Sequence, residues 1–242
     1  MSAVTLDIAQ ELLTTREESQ SAAIWRRFRR HRLALFGLAA IIVLVLAAAF
    51  APVIAPYDPL QQDLAVRNQG PTQEHIFGTD ELGRDVYTRL LFAGQKSLTI
   101  GFAVAILAEV IGAAVGAIAG YFGGVIDSIL MRMVDLILTL PTLPILLILA
   151  SIFREGGIEM LILILVAFGW TGASRIVRGV VLSLRNQEFT EASRALGISN
   201  FEIIARHMIP NAMAPIIVGM TLAVGGAIVT ESALSFLGFG VR

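Results

Sequence analysis

Five stretches of this 242-residue chain are apolar over lengths that no soluble core helix requires: about 33–55, 98–122, 129–152, 158–180 and 212–234. A bilayer core about 30 Å thick is crossed by about 20 helical residues. Lipid offers the backbone no hydrogen-bonding partner, so each stretch is expected to be a helix and not an open strand. Charged residues make up 15% of the chain against 56% hydrophobic, whereas a water-facing surface goes with about 25% charged. The predicted fold class is therefore an all-α membrane protein with five spans.

The same composition excludes several function classes. A formal net charge of −1 gives no electrostatic footing for nucleic acid. With no cysteine, disulfides, thiolate metal sites and thiol catalysis are all excluded. No Gly-x-x-x-x-Gly-Lys-Ser/Thr phosphate loop occurs, so the chain is not expected to hydrolyse nucleotide itself. No nucleophile–base pairing marks it as an enzyme, and neither a cofactor nor a metal is predicted. His75, Asp80 and Asp85 cluster in sequence but lack regular ligand spacing.

Direction follows from the arginines. Arg26, Arg27, Arg29, Arg30 and Arg32 crowd the start of the first span, which predicts a cytoplasmic N-terminus. Alternation then leaves eleven span-flanking positive charges inside and five outside. The first span follows 32 residues and is longer than a signal core, so a retained anchor is expected even though Ala49-Phe50-Ala51 resembles a cleavage site. Residues 1–32 form a cytoplasmic segment with a weakly amphipathic stretch, Leu6 to Leu13, and a surface helix around Trp25 and Phe28. Residues 33–242 form the transmembrane domain, with an outer loop 56–97 and a cytoplasmic loop 181–211.

Within the outer loop, Thr79 or Asp80 is expected to cap a helix whose Leu82, Val86 and Leu90 share one face. That helix would lie at the interface and feed the second span. In the second span, Ala108, Gly112, Gly116 and Gly120 place a small residue every four positions, a face on which another helix can approach closely. In the third span, Pro141 and Pro144 each remove a backbone donor, so a kink is expected. Glu109 falls near mid-membrane, where an ionised acid costs about 2.5–3.5 kcal/mol. It is protonated, paired, or faces a wet cavity, as a packing residue or as part of a translocation pathway. Pro141, Pro144 and Glu231, near the outer end of the last span, are the other pathway candidates.

The polar stretch before the fifth span reads Glu191-Ala192-Ser193-Arg194-Ala195-Leu196-Gly197, then nine residues, then His207-Met208-Ile209-Pro210. A helix over Phe189–Leu196 is expected to end at Gly197, in a turn needing positive φ or close backbone approach. Ser199 or Asn200 would cap a second helix through Met208, and Pro210 suits the first turn of the fifth span.

This stretch resembles the EAA loop of the membrane subunits of bacterial ABC importers, with Ser193 for the second alanine and Ile209 for the usual leucine. The strings His75-Ile76-Phe77-Gly78-Thr79-Asp80-Glu81-Leu82-Gly83-Arg84-Asp85-Val86 and Gly120-Tyr121-Phe122-Gly123-Gly124 are similar to those of the second permease subunit of dipeptide and oligopeptide importers. The resemblance runs from about residue 75 to the C-terminus. It implies a type I importer transmembrane fold in the bacterial cytoplasmic (inner) membrane, working by alternating access. It further implies a partner permease, two ATPase subunits and an extracytoplasmic substrate-binding protein. Glu191, Ala192, Ser193, Gly197, His207 and Pro210 would then form the ATPase-coupling loop. The family continues past Gly240 with an outer segment and a sixth span, whereas this chain stops at Arg242, so a missing sixth span is expected. The alternative is an ion-coupled secondary transporter or channel using Glu109 and Glu231, for which a long docking loop has no purpose.

The absence of native cysteine allows the orientation to be tested. Single cysteines at Gln73 and Gly156 should react with an impermeant maleimide added to intact cells, and a cysteine at Gln187 should react only after permeabilisation. Labelling of position 187 from outside would reverse the assignment.

Overall fold

The computed structural model describes residues 25–240 apart from Arg27; the Leu6–Leu13 stretch lies outside them. The chain divides into two compact units, one ending at Pro56 and one beginning at Tyr57. The first carries α1, Arg32–Ala49, followed by a single turn Ala51–Ile54 with a proline at its start. The rings of Trp25 and Phe28 stack at 5.8 Å between centroids.

The second unit contains α2 (Val86–Phe122), α3 (Gly124–Thr139), α4 (Thr142–Ile152), α5 (Gly157–Leu184), α6 (Glu188–Ala195), α7 (Asn200–Ile203) and α8 (Met213–Phe236). Among the described residues, four helices are long and apolar enough to cross a membrane, or five if α3 and α4 are counted as one bent span. Among the described residues, the only β pairing is an isolated bridge between Thr79 and Asp85.

Two sequence expectations are corrected in the second span. The interfacial helix and the span are one element: α2 has 37 residues, about 55 Å at 1.5 Å per residue, so it outruns a bilayer core. Its cap is Asp85 and not Thr79 or Asp80. The Asp85 carboxylate accepts from the Thr88 N–H at 2.7 Å, and its other oxygen meets His75 Nδ1 at 2.9 Å. Thr79 donates its hydroxyl to the Val66 carbonyl and receives the Gln69 N–H, tying the start of the segment 57–85 to its end. Asp80 accepts from the N–H groups of Leu82 and Arg84 and pairs with the guanidinium groups of Arg84 and Arg89.

The third span is also corrected. Helices α3 and α4 meet at 84°, a break and not a kink. Leu140 leaves the helical region at ψ 139° and Pro141 follows in extended geometry, as the residue before a proline is driven to do. Pro144 lies in the first turn of α4, where a missing N–H costs no intrahelical bond, so it causes no bend.

The bundle is organised by α2, which packs against both α5 and α8. The small-residue stripe meets α5 backbone to backbone. A Cβ on Gly112 would stand 2.6 Å from the Trp170 carbonyl oxygen, one on Gly116 2.4 Å from that of Ser174, and one on Gly120 2.9 Å from that of Arg178. On another face, Gly101 admits Ile228 of α8, whose nearest atom would lie 2.8 Å from an added Cβ. One apolar core forms around Ile100, Val104, Leu146, Leu165 and Leu234. A second, at the opposite ends of α2 and α5, gathers Ala117, Tyr121, Val177 and Val181 with Ile203 and Met208.

Charge joins α3 to α5. Arg178 grips Asp127 through both Nε and a terminal nitrogen, the latter at 2.5 Å, and Arg175 pairs with Asp135. Two acids of α3 are thus the partners of two arginines on the neighbouring helix.

Two predictions follow from this packing. Gly116→Val forces a side chain into the α5 backbone and should cost well above the 1–3 kcal/mol of ordinary overpacking. The variant should therefore lose its monodisperse peak on size exclusion in detergent, while Gly179→Ala, with open space around an added Cβ, should elute as wild type. In the segment 57–85, burial raises the Asp80 carboxyl. The N–H groups of Arg84 and Leu82 and the Arg84 guanidinium outweigh that and hold it at about 2, below its usual 3.8. A folded value below the unfolded one gives stability that is complete above 3.8 and lost as pH falls toward 2. Asn68 and Gly83 donate their N–H groups to the Asp80 carbonyl, and their exchange should lose protection in that window. At neutral pH Asp80→Asn should reproduce the loss; wild-type protection in the variant would refute the account.

Candidate functional site

The connection from α5 to α8 is a helix–turn–helix. Its first arm is α6, whose Thr190 and Ser193 turn inward, three residues apart, and are buried. The Thr190 hydroxyl donates to the Leu184 carbonyl at 2.9 Å and that of Ser193 to the Phe189 carbonyl at 2.7 Å. Glu188, Glu191, Ala192 and Ala195 face outward. The arm ends in a paired turn: Gly197 donates to the Arg194 carbonyl and Ile198 to that of Ser193. These bonds satisfy two terminal carbonyls and require the left-handed backbone found at Gly197, φ +77°. An added Cβ at Gly197 would meet nothing within 4 Å, so its constraint is conformational and not steric.

Ser199 caps α7 through the Glu202 N–H. The regular helix expected through Met208 is not found. After Ile203 the chain enters a π-helical turn, Ile204–Met208, and then Ile209–Asn211. The wider turn sets Ile203, Ile204 and Met208 all into the core beside Tyr121 and Val181. Pro210 sits in the short helix ahead of α8, from which Ala212 separates it. The His207 ring lies 6.4 Å from that of Phe189, linking the two arms.

The second arm is thus anchored and the first presented. Of the residues expected in the coupling loop, Glu191, Ala192 and Gly197 are exposed together, and Pro210 is exposed on the other arm. Ser193 is turned into the fold and His207 is half-buried. Sequence reasoning missed two apolar residues at the tip: Leu196 and Phe201 are 80% and 81% exposed. Their signal was available, since both flank the Gly197 turn inside an otherwise polar stretch.

The intramembrane candidates separate into two groups. Glu109 and Glu231 both lie in the α2–α8 interface, 5% and 8% exposed. Glu231 accepts from Ser235 at 2.6 Å and from Ser97 of α2 at 3.4 Å. Glu109 presses its carboxyl against Gly219, whose added Cβ would lie 2.8 Å from Oε1. Pro141 and Pro144 are exposed at the α3–α4 break. Just beyond it, Thr142 and Leu146 of α4 face Phe168 and Thr230 across a cavity of about 250 Å³.

Known proteins resemble this chain over most of its length. Residues 112–242 match the family described as binding-protein-dependent transport system inner membrane component. Residues 19–71 match the N-terminal TM domain of oligopeptide transport permease C, so the similarity begins well before residue 75. The dipeptide transport system permease protein DppC of Bacillus subtilis is 42% identical, over 90% of this chain and 68% of the relative. The oligopeptide transport system permease protein OppC of the same organism is 40% identical, over 92% and 74%. The OppC protein of Mycobacterium bovis is also 40% identical, over 93% and 77%.

Proposed function

The chain belongs to the family of binding-protein-dependent transport system inner membrane components, and we propose on that footing that it is the second permease subunit of an ATP-driven importer of di- and oligopeptides. It is a multi-pass protein of the inner membrane with a type I ABC importer transmembrane fold. Its N-terminal segment 1–32 and the loop 181–211 lie in the cytoplasm, and the segment between α1 and the membrane part of α2 lies outside.

The carrying observation is the division of labour in the helix–turn–helix. One arm is buried against α2 and α5 by Ile203, Ile204 and Met208. The other offers an exposed face of Glu191 and Ala192, and Leu196 and Phe201, one on each side of the Gly197 turn, form an exposed apolar tip between the arms. Such a tip in water is a docking surface in search of a pocket. An ATPase subunit is the partner proposed, since the chain has no phosphate loop of its own. ATP-driven closure of an ATPase pair would move the docked loops and open the two permeases outward, and hydrolysis would return them. The second permease, two ATPase subunits and an external binding protein complete the assembly. Glu109, Pro141, Pro144 and Glu231 are proposed to serve the gating of the pathway, with no cofactor.

The alternative, an ion-coupled carrier using Glu109 and Glu231, has less support. Both acids are buried in the α2–α8 interface, and it leaves the exposed tip without a purpose.

The test is copurification of the ATPase subunits with the permease pair, followed by turnover. Gly197→Val should leave membrane insertion intact and break docking, because the paired turn needs positive φ. Leu196→Glu with Phe201→Glu should weaken docking about tenfold or more, from the transfer energy of two apolar side chains. Glu191→Lys should also impair docking, and Asn186→Ala should be silent. Wild-type ATPase retention in all the loop variants would make this an ordinary linker.

A further inference from the structure

Tyr121 is the last residue but one of α2 and is only 4% exposed. Its hydroxyl donates to Asn200 Oδ1 at 2.8 Å and receives Arg194 Nε at 3.3 Å. The Arg194 guanidinium also lies 5.0 Å from the ring centroid. Arg194 belongs to the first arm of the helix–turn–helix and Asn200 to the second. One phenol oxygen therefore holds both arms, on the two sides of the Gly197 turn, to a single point on α2.

We propose that Tyr121 is the positioning residue through which movement of the docked loop is passed to α2, a role that rests on the ATPase-docking reading above. Phenylalanine would fill the same space, but only tyrosine can donate to the Asn200 amide oxygen and accept from a cation at one atom. The bond to a charged donor is the stronger kind, and its acceptor belongs to a buried residue. The ring is set in the apolar core with Ile203 and Met208, so the attachment cannot swing freely. From that point α2 runs unbroken to Val86, past Gly219 and Ile228 of α8. A displacement at Tyr121 thus reaches the α2–α8 contact along one rigid rod. Without the hydroxyl, apolar packing and the Arg194 guanidinium over the ring remain, contacts that resist separation but tolerate sliding.

The experiment uses the assembled complex, with spin labels on cysteines at Ile118 of α2 and Ala195 of α6, both exposed. In the otherwise wild-type complex, the 118–195 distance distribution should be the same with and without ATP, because loop and helix move together. In Tyr121→Phe, ATP should produce a second population at this pair, and the share of complexes in which α2 follows the loop should fall about tenfold, the effect of one charge-assisted bond. Asn200→Leu should also split the distribution, and Asn200→Asp, which still accepts from the hydroxyl, should restore a single population. A single ATP-independent population in Tyr121→Phe would overturn the proposal. If Tyr121→Phe fails to assemble, the Asn200 pair decides: equal distributions in Asp and Leu variants overturn it, and rescue by Asp supports it. The docking variant Leu196→Glu with Phe201→Glu separates the two claims. Loss of ATPase there with wild-type behaviour of Tyr121→Phe rejects the relay alone, whereas ATPase retention rejects docking itself.

Discussion

The close approach of α2 to α5 is the contact on which the rest of this molecule depends. Three glycines, four residues apart, let the α2 surface come within contact of the carbonyls of Trp170, Ser174 and Arg178. In lipid there is no hydrophobic gain from bringing two apolar helices together, so packing must supply the attraction, and small residues maximise it. The consequences run in both directions along the pair. Toward its C-terminal end, the contact brings Tyr121 and Val181 together as a platform for the connecting loop. Toward the other end, it leaves Gly101 and Glu109 directed to α8. A wider α2–α5 separation would remove the platform and the loop's second arm would have no core to enter.

Charge obeys the same economy. Asp127 and Asp135 are matched to Arg178 and Arg175 across α3 and α5. Desolvation of either partner alone would be costly, and the pairing in turn orients α3 against the bundle before the break at Pro141. Glu231 is met by two hydroxyls. Glu109 has no ion pair or hydrogen bond among the described residues and rests against a glycine. That arrangement fits a carboxyl accommodated by shape and not by charge.

Much of this was legible in the sequence, and the reasons for the rest are specific. Span number and class follow from apolar length, and the glycine stripe was readable because a period of four leaves a flat face whatever the partner. The left-handed turn at Gly197 was readable because one residue type at a helix end carries one conformation. The cap of α2 was misplaced because Thr79, Asp80 and Asp85 are all competent caps. The choice is made by contacts to Val66, Gln69 and His75, which are distant in sequence. Ser193 could be placed in the loop by composition, but only the register around α6 shows that its side chain turns inward. The Asp127–Arg178 pair spans 51 residues, and the π-helical turn at Ile204–Met208 has no compositional mark at all.

The two arms of the connecting loop show how an exposed surface is made to transmit force. A docking surface must be accessible, which removes the burial that would otherwise hold it in place. Here the exposed arm is held by what adjoins it. Ser193 and Thr190 close the backbone on its inner side, the Gly197 turn satisfies its last carbonyls, and Arg194 reaches back to Tyr121. The tip formed by Leu196 and Phe201 is therefore free of the bundle while its base is not. Packed helices shift between discrete arrangements and do not deform continuously. A push at the tip is then carried by the arms as a unit, and the glycine-lined seam between α2 and α5 decides which helices travel with it.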